Sequence, residues 1–277
     1  DVALGQTVVI PDMDFTRPGM VDPMAIIVPI QKYRIHQLFG SPALLDRVGR
    51  FGAHHGIALP TLKRVMSAGA PVPAKVLALF SKLLDRGVPI YTPYGATEAL
   101  PVALTSSFEI LEETAAKTVR GEGICVGRPV KGIEVAVIRI EEGQIKTWSD
   151  DLRVAHGKVG EIVVKGPVVT GEYFRRIEDM AKAKIGDGKG FWHRMGDLGY
   201  FDDAGRLWFC GRKAHRVKTE IGEHYTICVE GVFNAHPKVK RTALVGGGLN
   251  PVLCVELEPG TPTSDELKQK ILNLTGR

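Results

Sequence analysis

The chain has 277 residues, 44% apolar and 24% charged, which is the profile of a globular protein with a sizeable core. Lys and Arg total 36 against 31 Asp and Glu, and this net +5 is too small and too scattered to imply nucleic acid. The longest apolar run, Met24–Ile30, contains Pro29 and is far too short to span a bilayer. The four cysteines, Cys125, Cys210, Cys228 and Cys254, show neither CxxC pairing nor zinc spacing, which fits a reducing cytoplasm. The chain opens on Asp1 with no basic and apolar leader, and this start in mid-pattern is expected of a piece of a longer protein.

In chain order, Ala43–Gly56 carries Leu44, Leu45, Val48 and Phe51 at helical spacing, which predicts a helix there. Arg64-Val65-Met66 is a short apolar run that ends in "SAGAP", Ser67–Pro71. Ala74–Arg86 repeats the helical pattern with Val76, Leu79, Phe80, Leu83 and Leu84, and Gly87 reads as its C-cap. A further apolar run, Val88–Thr92, leads into "YGATE", Tyr94–Glu98. Strand, turn and helix alternating in this way predict an α/β layer. From about Cys125 the texture changes. "IEVAVIRI" (Ile133–Ile140) and "EIVVKG" (Glu161–Gly166) read as short strands joined by glycine turns, a β-rich subdomain. "YFDDAGRLWFCG" reads as a tight hairpin turning at Asp202–Gly205. Beyond a boundary near Gly211, a helix is expected at Val229–Ala235, a strand at Thr242–Val245 and a flexible loop at "GGG", Gly246–Gly248. A strand at Val252–Leu257 and a final helix follow. That helix has a capping box, Thr263 to Glu266, and an apolar face of Leu267, Ile271 and Leu274.

Ligands of open α/β sheets collect at the carboxyl ends of strands, and "SAGAP" and "YGATE" both lie at such ends. Gly69 and Gly95 let the backbone approach a ligand. Tyr94 offers a flat face to a base, Thr97 a hydroxyl to a phosphate oxygen, and Glu98 a hard oxygen ligand to Mg2+. Taken alone, a Thr-Glu pair after a strand is more often the N-cap and favourable first-turn charge of a helix. Asp197, in a Gly-Asp-Leu-Gly turn, can accept from both hydroxyls of a ribose, and Arg212 can donate to the same sugar or to a phosphate. The histidines, His193 among them, form no ligand spacing.

In that order and spacing these segments resemble the adenylate-forming (AMP-binding) superfamily of acyl-CoA synthetases, peptide-synthetase adenylation domains and luciferases. The resemblance covers nearly the whole chain. "SAGAP" is similar to the family's adenine-side loop and "YTPYGATE" to its aromatic-threonine-glutamate motif. "GEIVVKGPVVTGEYF" (Gly160–Phe174) looks like its structural strand-and-turn motif, and "HRMGDLGYFDDAGRLWFCGR" like its ribose motif and hinge. The implied fold is α/β: a partial large adenylation domain followed by part of a small α+β C-terminal domain. The α/β layer would occupy 1–124, the β-rich subdomain 125–210 and the C-terminal part 211–277. ATP/AMP and Mg2+ are the implied cofactors. Gly69, Ala70 and Pro71 would flank the adenine and Tyr94 would stack on it, with Gly95 beside it. Thr97 would contact the α-phosphate and Glu98 the Mg2+ as the catalytic pair. Asp197 would hold the ribose hydroxyls, and Arg212 would reach the ribose from the hinge.

Two family features have no counterpart in these residues: the Ser/Thr/Gly-rich phosphate loop that ends in lysine, and the C-terminal lysine that meets the carboxylate being activated. "GDGKG" (Gly186–Gly190) and "GGGLN" (Gly246–Asn250) are surface turns by comparison, and Ala214 stands where the hinge commonly has Asp or Lys. These residues alone are therefore expected to be inactive. The wording after Arg212, "GRKAHRVKTEIGEHYTICVEGVFNAHPKVKRTALVG", is most similar to the β-lactone synthetases of bacterial long-chain olefin biosynthesis. That resemblance implies a 3-hydroxy fatty-acid substrate and other enzymes of the same pathway as partners. A fatty-acid-CoA ligase, which would consume CoA, and a non-catalytic nucleotide-binding module are the alternatives.

Overall fold

A computed structural model describes residues 2–220, 222–247 and 250–276. The chain forms two compact units, Asp1–Pro93 with Thr105–Glu112, and Tyr94–Leu104 with Glu113–Arg277.

The first unit holds α1 (Pro23–Lys32), β1 (Gln37–Gly40), α2 (Pro42–His54), β2 (Arg64–Ser67), α3 (Ala74–Ser81) and the start of β3 (Ile90–Ala96). β1 pairs with β2, and β2 with β3, all parallel, so helices cover the strands as the alternating pattern requires. The Ser41 side chain caps α2 by accepting from Leu44 N at 3.3 Å, and Pro42 occupies the first helical position. Its periodic Leu44, Leu45 and Val48 are buried with Leu77, Phe80 and Ile90 in one core. The first unit differs from the sequence reading at four elements. Neither α1 nor β1 was foreseen. α3 stops at Ser81, because the chain tightens to Leu83 N→Phe80 O and the Leu83 carbonyl accepts from Leu59 N at 2.7 Å. Gly87, at φ +92°, therefore serves the turn Asp85–Val88 and caps no helix.

β3 runs on through Tyr94, Gly95 and Ala96 into the second unit, and Thr97-Glu98 turn the chain into β4 (Ala99–Ser106). After α4 (Ser107–Glu109) and α5 (Ala115–Val119) come β5 (Ile124–Pro129), β6 (Glu134–Ile138) and β7 (Gly160–Lys165). Then follow α6 (Ile177–Ala183), β8 (Lys184–Gly186), β9 (Phe191–Phe201) and β10 (Leu207–Arg212). The order in the second unit is β4-β5-β10-β9-β7-β6, antiparallel throughout, with β8 on β9. β6 and β7 pair as expected, but residues 139–159 and a short helical turn at Asp150–Leu152 connect them rather than a glycine turn. The β9–β10 hairpin is as predicted, with Asp202 accepting from Ala204 N, Arg206 and Trp208 Nε1.

The remaining elements are β11 (Val217–Thr219), β12 (Gly222–His224), α7 (Thr226–Asn234), β13 (Val239–Gly247), β14 (Asn250–Leu257) and α8 (Asp265–Leu272). Gly246 and Gly247 belong to β13, while Gly248 of the expected loop lies outside the described residues. The cap of α8 is Ser264, which accepts from Leu267 N at 3.1 Å, so the expected box at Thr263 is displaced by one residue. Leu267 and Ile271 are buried against Phe233 and Val239, with Leu274 packed beside them. Among the described residues, no helix is long and apolar enough to cross a membrane.

Candidate functional site

The turn that carries Thr97 and Glu98 is made by the close passage of β4 along β3. A Cβ on Gly95 would stand 2.4 Å from the Ala99 carbonyl and 3.2 Å from Leu100 Cα, so only glycine fits. The backbone that Gly95 admits is thus that of β4. No helix begins at Glu98, since β4 starts at the next residue, and this removes the helix-cap reading of the pair. Thr97 is exposed and Glu98 half-buried.

Glu98 is held from the segment that follows β7. Tyr173 donates its hydroxyl to Glu98 Oε1 at 2.8 Å, and Thr170 N donates to the Glu98 main-chain oxygen at 2.8 Å. The Tyr173 hydrogen bond holds the Glu98 carboxyl below its ordinary range, against the opposing effect of burial, and the Lys184 charge adds to the lowering. Burial first, then Glu98, pushes the Tyr173 phenol up to about 12. Lys184, at the start of β8, donates to the Thr170 carbonyl and stands 6.0 Å from the Tyr173 ring centre and 4.6 Å from that of Phe191. His193, on β9, is buried, and its Nδ1 has no partner among the described residues. Burial first, and then the Lys184 charge, brings this imidazole down to about 4, so it is neutral.

A second cluster joins three of the expected residues. Asp197 Oδ2 accepts from the Tyr94 hydroxyl at 2.7 Å and Oδ1 from Arg212 Nη1 at 3.0 Å. β9 and β10 put Asp197 opposite Arg212 in register, and Arg212 Nη1 also donates to the Met195 carbonyl at 3.2 Å. Gly196 takes φ +67° within β9, and Asp197 lies in that strand and not in the Gly-Asp-Leu-Gly turn expected from the sequence. Burial raises the Asp197 carboxyl above its ordinary value, opposed by Tyr94 and Arg212. The Tyr94 ring leans toward Phe209 with centres 6.0 Å apart. Half of the Arg212 side chain stays exposed, and its Nε and Nη2 have no protein partner among the described residues. Lys213 is anchored beside it on buried Glu161, which also pairs with Arg194 at 2.6 Å.

Gly69, Ala70 and Pro71 follow β2 in the first unit, where Gly69 takes φ +95° with open space around its α-carbon. The sequence singled out Thr97, Glu98, Asp197 and Arg212 but missed Tyr173, Lys184 and His193 around Glu98. Tyr173 stood within the motif read as structural, and no local spacing links it to a residue 75 positions away. Glu98 suits a hard divalent cation. It is ionised, no other described residue donates to its Oε2, and Thr97 precedes it on the same turn. Among the described residues no group of three or more His, Cys, Asp or Glu could hold a metal, so a cation there would rest on Glu98 and on ligand or water oxygens, the usual habit of Mg2+.

Comparison with known proteins bears on the family and the fold. A family model described as AMP-binding enzyme matches residues 2–174. The olefin beta-lactone synthetase of Stenotrophomonas maltophilia is 50% identical over 280 residues, 98% of this chain and 50% of that protein. A 2-succinylbenzoate–CoA ligase of Bacillus cereus is 32% identical over 203 residues, 73% of this chain and 36% of that protein. The amide bond synthetase of Marinactinospora thermotolerans shares the fold with a TM-score of 0.73 at 26% identity, covering 91% of this chain and 49% of that one. The chain thus spans half the length of the curated lactone synthetase and less of the CoA ligase.

Proposed function

The chain belongs to the AMP-binding enzyme family, and from that premise we propose that the whole protein activates a long-chain 3-hydroxy fatty acid and closes it to a β-lactone. The observation that carries this reading is 50% identity over 98% of the chain to an olefin beta-lactone synthetase. In the first step the acid's carboxylate oxygen attacks the α-phosphorus of ATP and pyrophosphate leaves, which forms an acyl adenylate. In the second, the acid's own 3-hydroxyl loses its proton and attacks the adenylate carbonyl. AMP departs and the four-membered ring closes without CoA.

The residues divide by what each can offer. We assign Gly69, Ala70, Pro71 and Tyr94 to the adenine and Asp197 to the ribose hydroxyls, with Arg212 free to donate to the sugar or a phosphate through Nε and Nη2. Thr97 takes the α-phosphate. Glu98 takes Mg2+, which when bound supplies the positive charge that offsets the phosphate oxygens. We assign 1–124 and 125–210 to the large domain and 211–277 to the C-terminal part, and place the protein in the cytoplasm. Its partners are the fatty acid and the enzymes that make the acid and consume the lactone.

A second reading, a CoA ligase, is favoured by the 32% identity to the succinylbenzoate enzyme. The full-length protein incubated with ATP, Mg2+ and a long-chain 2-alkyl-3-hydroxy acid, with and without CoA, separates the two by product mass. Lactone and AMP without CoA are expected. A CoA thioester formed only when CoA is present selects the ligase, and no AMP under either condition retires both readings.

A further inference from the structure

Glu98 is fixed at both ends by one short segment. The Thr170 amide holds its carbonyl at 2.8 Å, and the Tyr173 hydroxyl holds Oε1 at 2.8 Å. That segment is itself tied down, because Lys184 donates to the Thr170 carbonyl and faces the Tyr173 ring. A glutamate side chain loses much rotamer freedom on being ordered, and a hydrogen bond to a charged carboxylate is strong enough to impose that order. With Oε1 taken, Oε2 is the oxygen to which no other described residue donates.

We propose that Tyr173 is a positioning residue that orients the Glu98 carboxylate and presents Oε2 to the divalent cation at the nucleotide phosphates. This rests on the assignment of Glu98 to the metal. It gives the Gly166–Tyr173 segment a part in the site beyond chain reversal. Tyr173→Phe isolates the claim, since it keeps the ring and its contact with Lys184 and removes only the donor.

The test uses the full-length protein with a non-hydrolysable ATP analogue and Mn2+ as probe, followed by electron paramagnetic resonance. Tyr173→Phe should weaken Mn2+ binding about three- to tenfold, the scale of a lost hydrogen bond to a charged group. The Mg2+ concentration for half-maximal adenylation should rise by a similar factor, with kcat recovering at saturating Mg2+. Glu98→Gln is the reference and should weaken Mn2+ further, without recovery. Wild-type Mn2+ affinity in Tyr173→Phe, beside a loss in Glu98→Gln, overturns the positioning role and leaves the functional reading intact. An unchanged affinity in Glu98→Gln overturns the metal assignment itself. Collapse of the melting transition in Tyr173→Phe also counts against the proposal, because a hydroxyl that only orients Glu98 is not needed for folding.

Discussion

Asp197 serves two protein partners before any ligand arrives, with Tyr94 on one oxygen and Arg212 on the other, at 5% exposure. A carboxylate has about four acceptor positions, so a ribose must share oxygens already in use. Asp197→Asn keeps the shape and removes the charge. Loss of a charged hydrogen bond costs about 1.5–3 kcal/mol, so ATP affinity of the full-length protein should fall about tenfold or more by calorimetry. Unchanged affinity would leave Asp197 as only the internal partner of Tyr94 and Arg212. His193 gives a prediction on pH. Its value falls from 6.5 to about 4 on folding, so between those values the unfolded chain binds more protons and stability declines as the solution is acidified. The loss amounts to about 3 kcal/mol at most, complete below pH about 4. His193→Leu should flatten the fall in melting temperature between pH 6.5 and 4. An acid limb of unchanged steepness would assign that loss to other groups. Asp197 and Arg212 could be read from the sequence because each stands beside a glycine in its motif, although the structure places both in strands, β9 and β10, and not in the turns that those glycines suggested. His193 and Tyr173 could not, because what distinguishes them, burial beside the Lys184 charge for His193 and a hydrogen bond to Glu98 for Tyr173, exists only in the folded chain.

Among the elements, those with a local period or a local turn were legible. α2 follows from Leu44, Leu45 and Val48, and the β9–β10 hairpin from the Asp202–Gly205 turn. β1 was not, since "QLFG" is four residues with no alternation to notice, and it exists through its pairing with β2. α3 was read too long because Leu83 and Leu84 continue the apolar period, while a tertiary hydrogen bond from Leu59 N draws the Leu83 carbonyl away. The β3–β4 turn is the element on which the candidate site depends. Gly95→Ala puts a methyl 2.4 Å from the Ala99 carbonyl, and this nearest neighbour, like Leu100 Cα at 3.2 Å, is backbone that cannot swing aside. Overpacking of this kind costs about 1–3 kcal/mol, and the required shift displaces Thr97 and Glu98. Adenylation by the full-length Gly95→Ala variant should therefore drop well beyond what a melting-temperature loss of a few degrees explains. Wild-type activity with a wild-type melt would show that the turn tolerates the displacement.

At the scale of the whole molecule, the α/β class was legible because apolar runs and helical periods alternate in the first unit and give way to strands in the second. The chain passes between units at Pro93/Tyr94, Leu104/Thr105 and Glu112/Glu113, and the first two were not legible, since they fall inside β3 and β4. The second unit brings Tyr94, Asp197 and Arg212 into one cluster and Thr97 and Glu98 onto one turn, while the 277 residues contain no Ser/Thr/Gly-rich phosphate loop ending in lysine. Nucleoside recognition and phosphate transfer should therefore separate when these residues are studied alone. AMP needs the base and ribose contacts, whereas ATP also needs cationic contacts to the outgoing phosphates, each worth about 1.5–3 kcal/mol. Two such contacts correspond to about a hundredfold or more in affinity. Calorimetry on the 277 residues and on the full-length protein should thus show a modest difference for AMP and a large one for ATP. Pyrophosphate release by the 277 residues should stay at background, because without those side-chain cations the Mg2+ assigned to Glu98 would be left alone to offset the charge that builds on the leaving group. Release at the full-length rate would mean that Arg212 or a neighbouring lysine supplies the phosphate contacts, and the expected separation would fail.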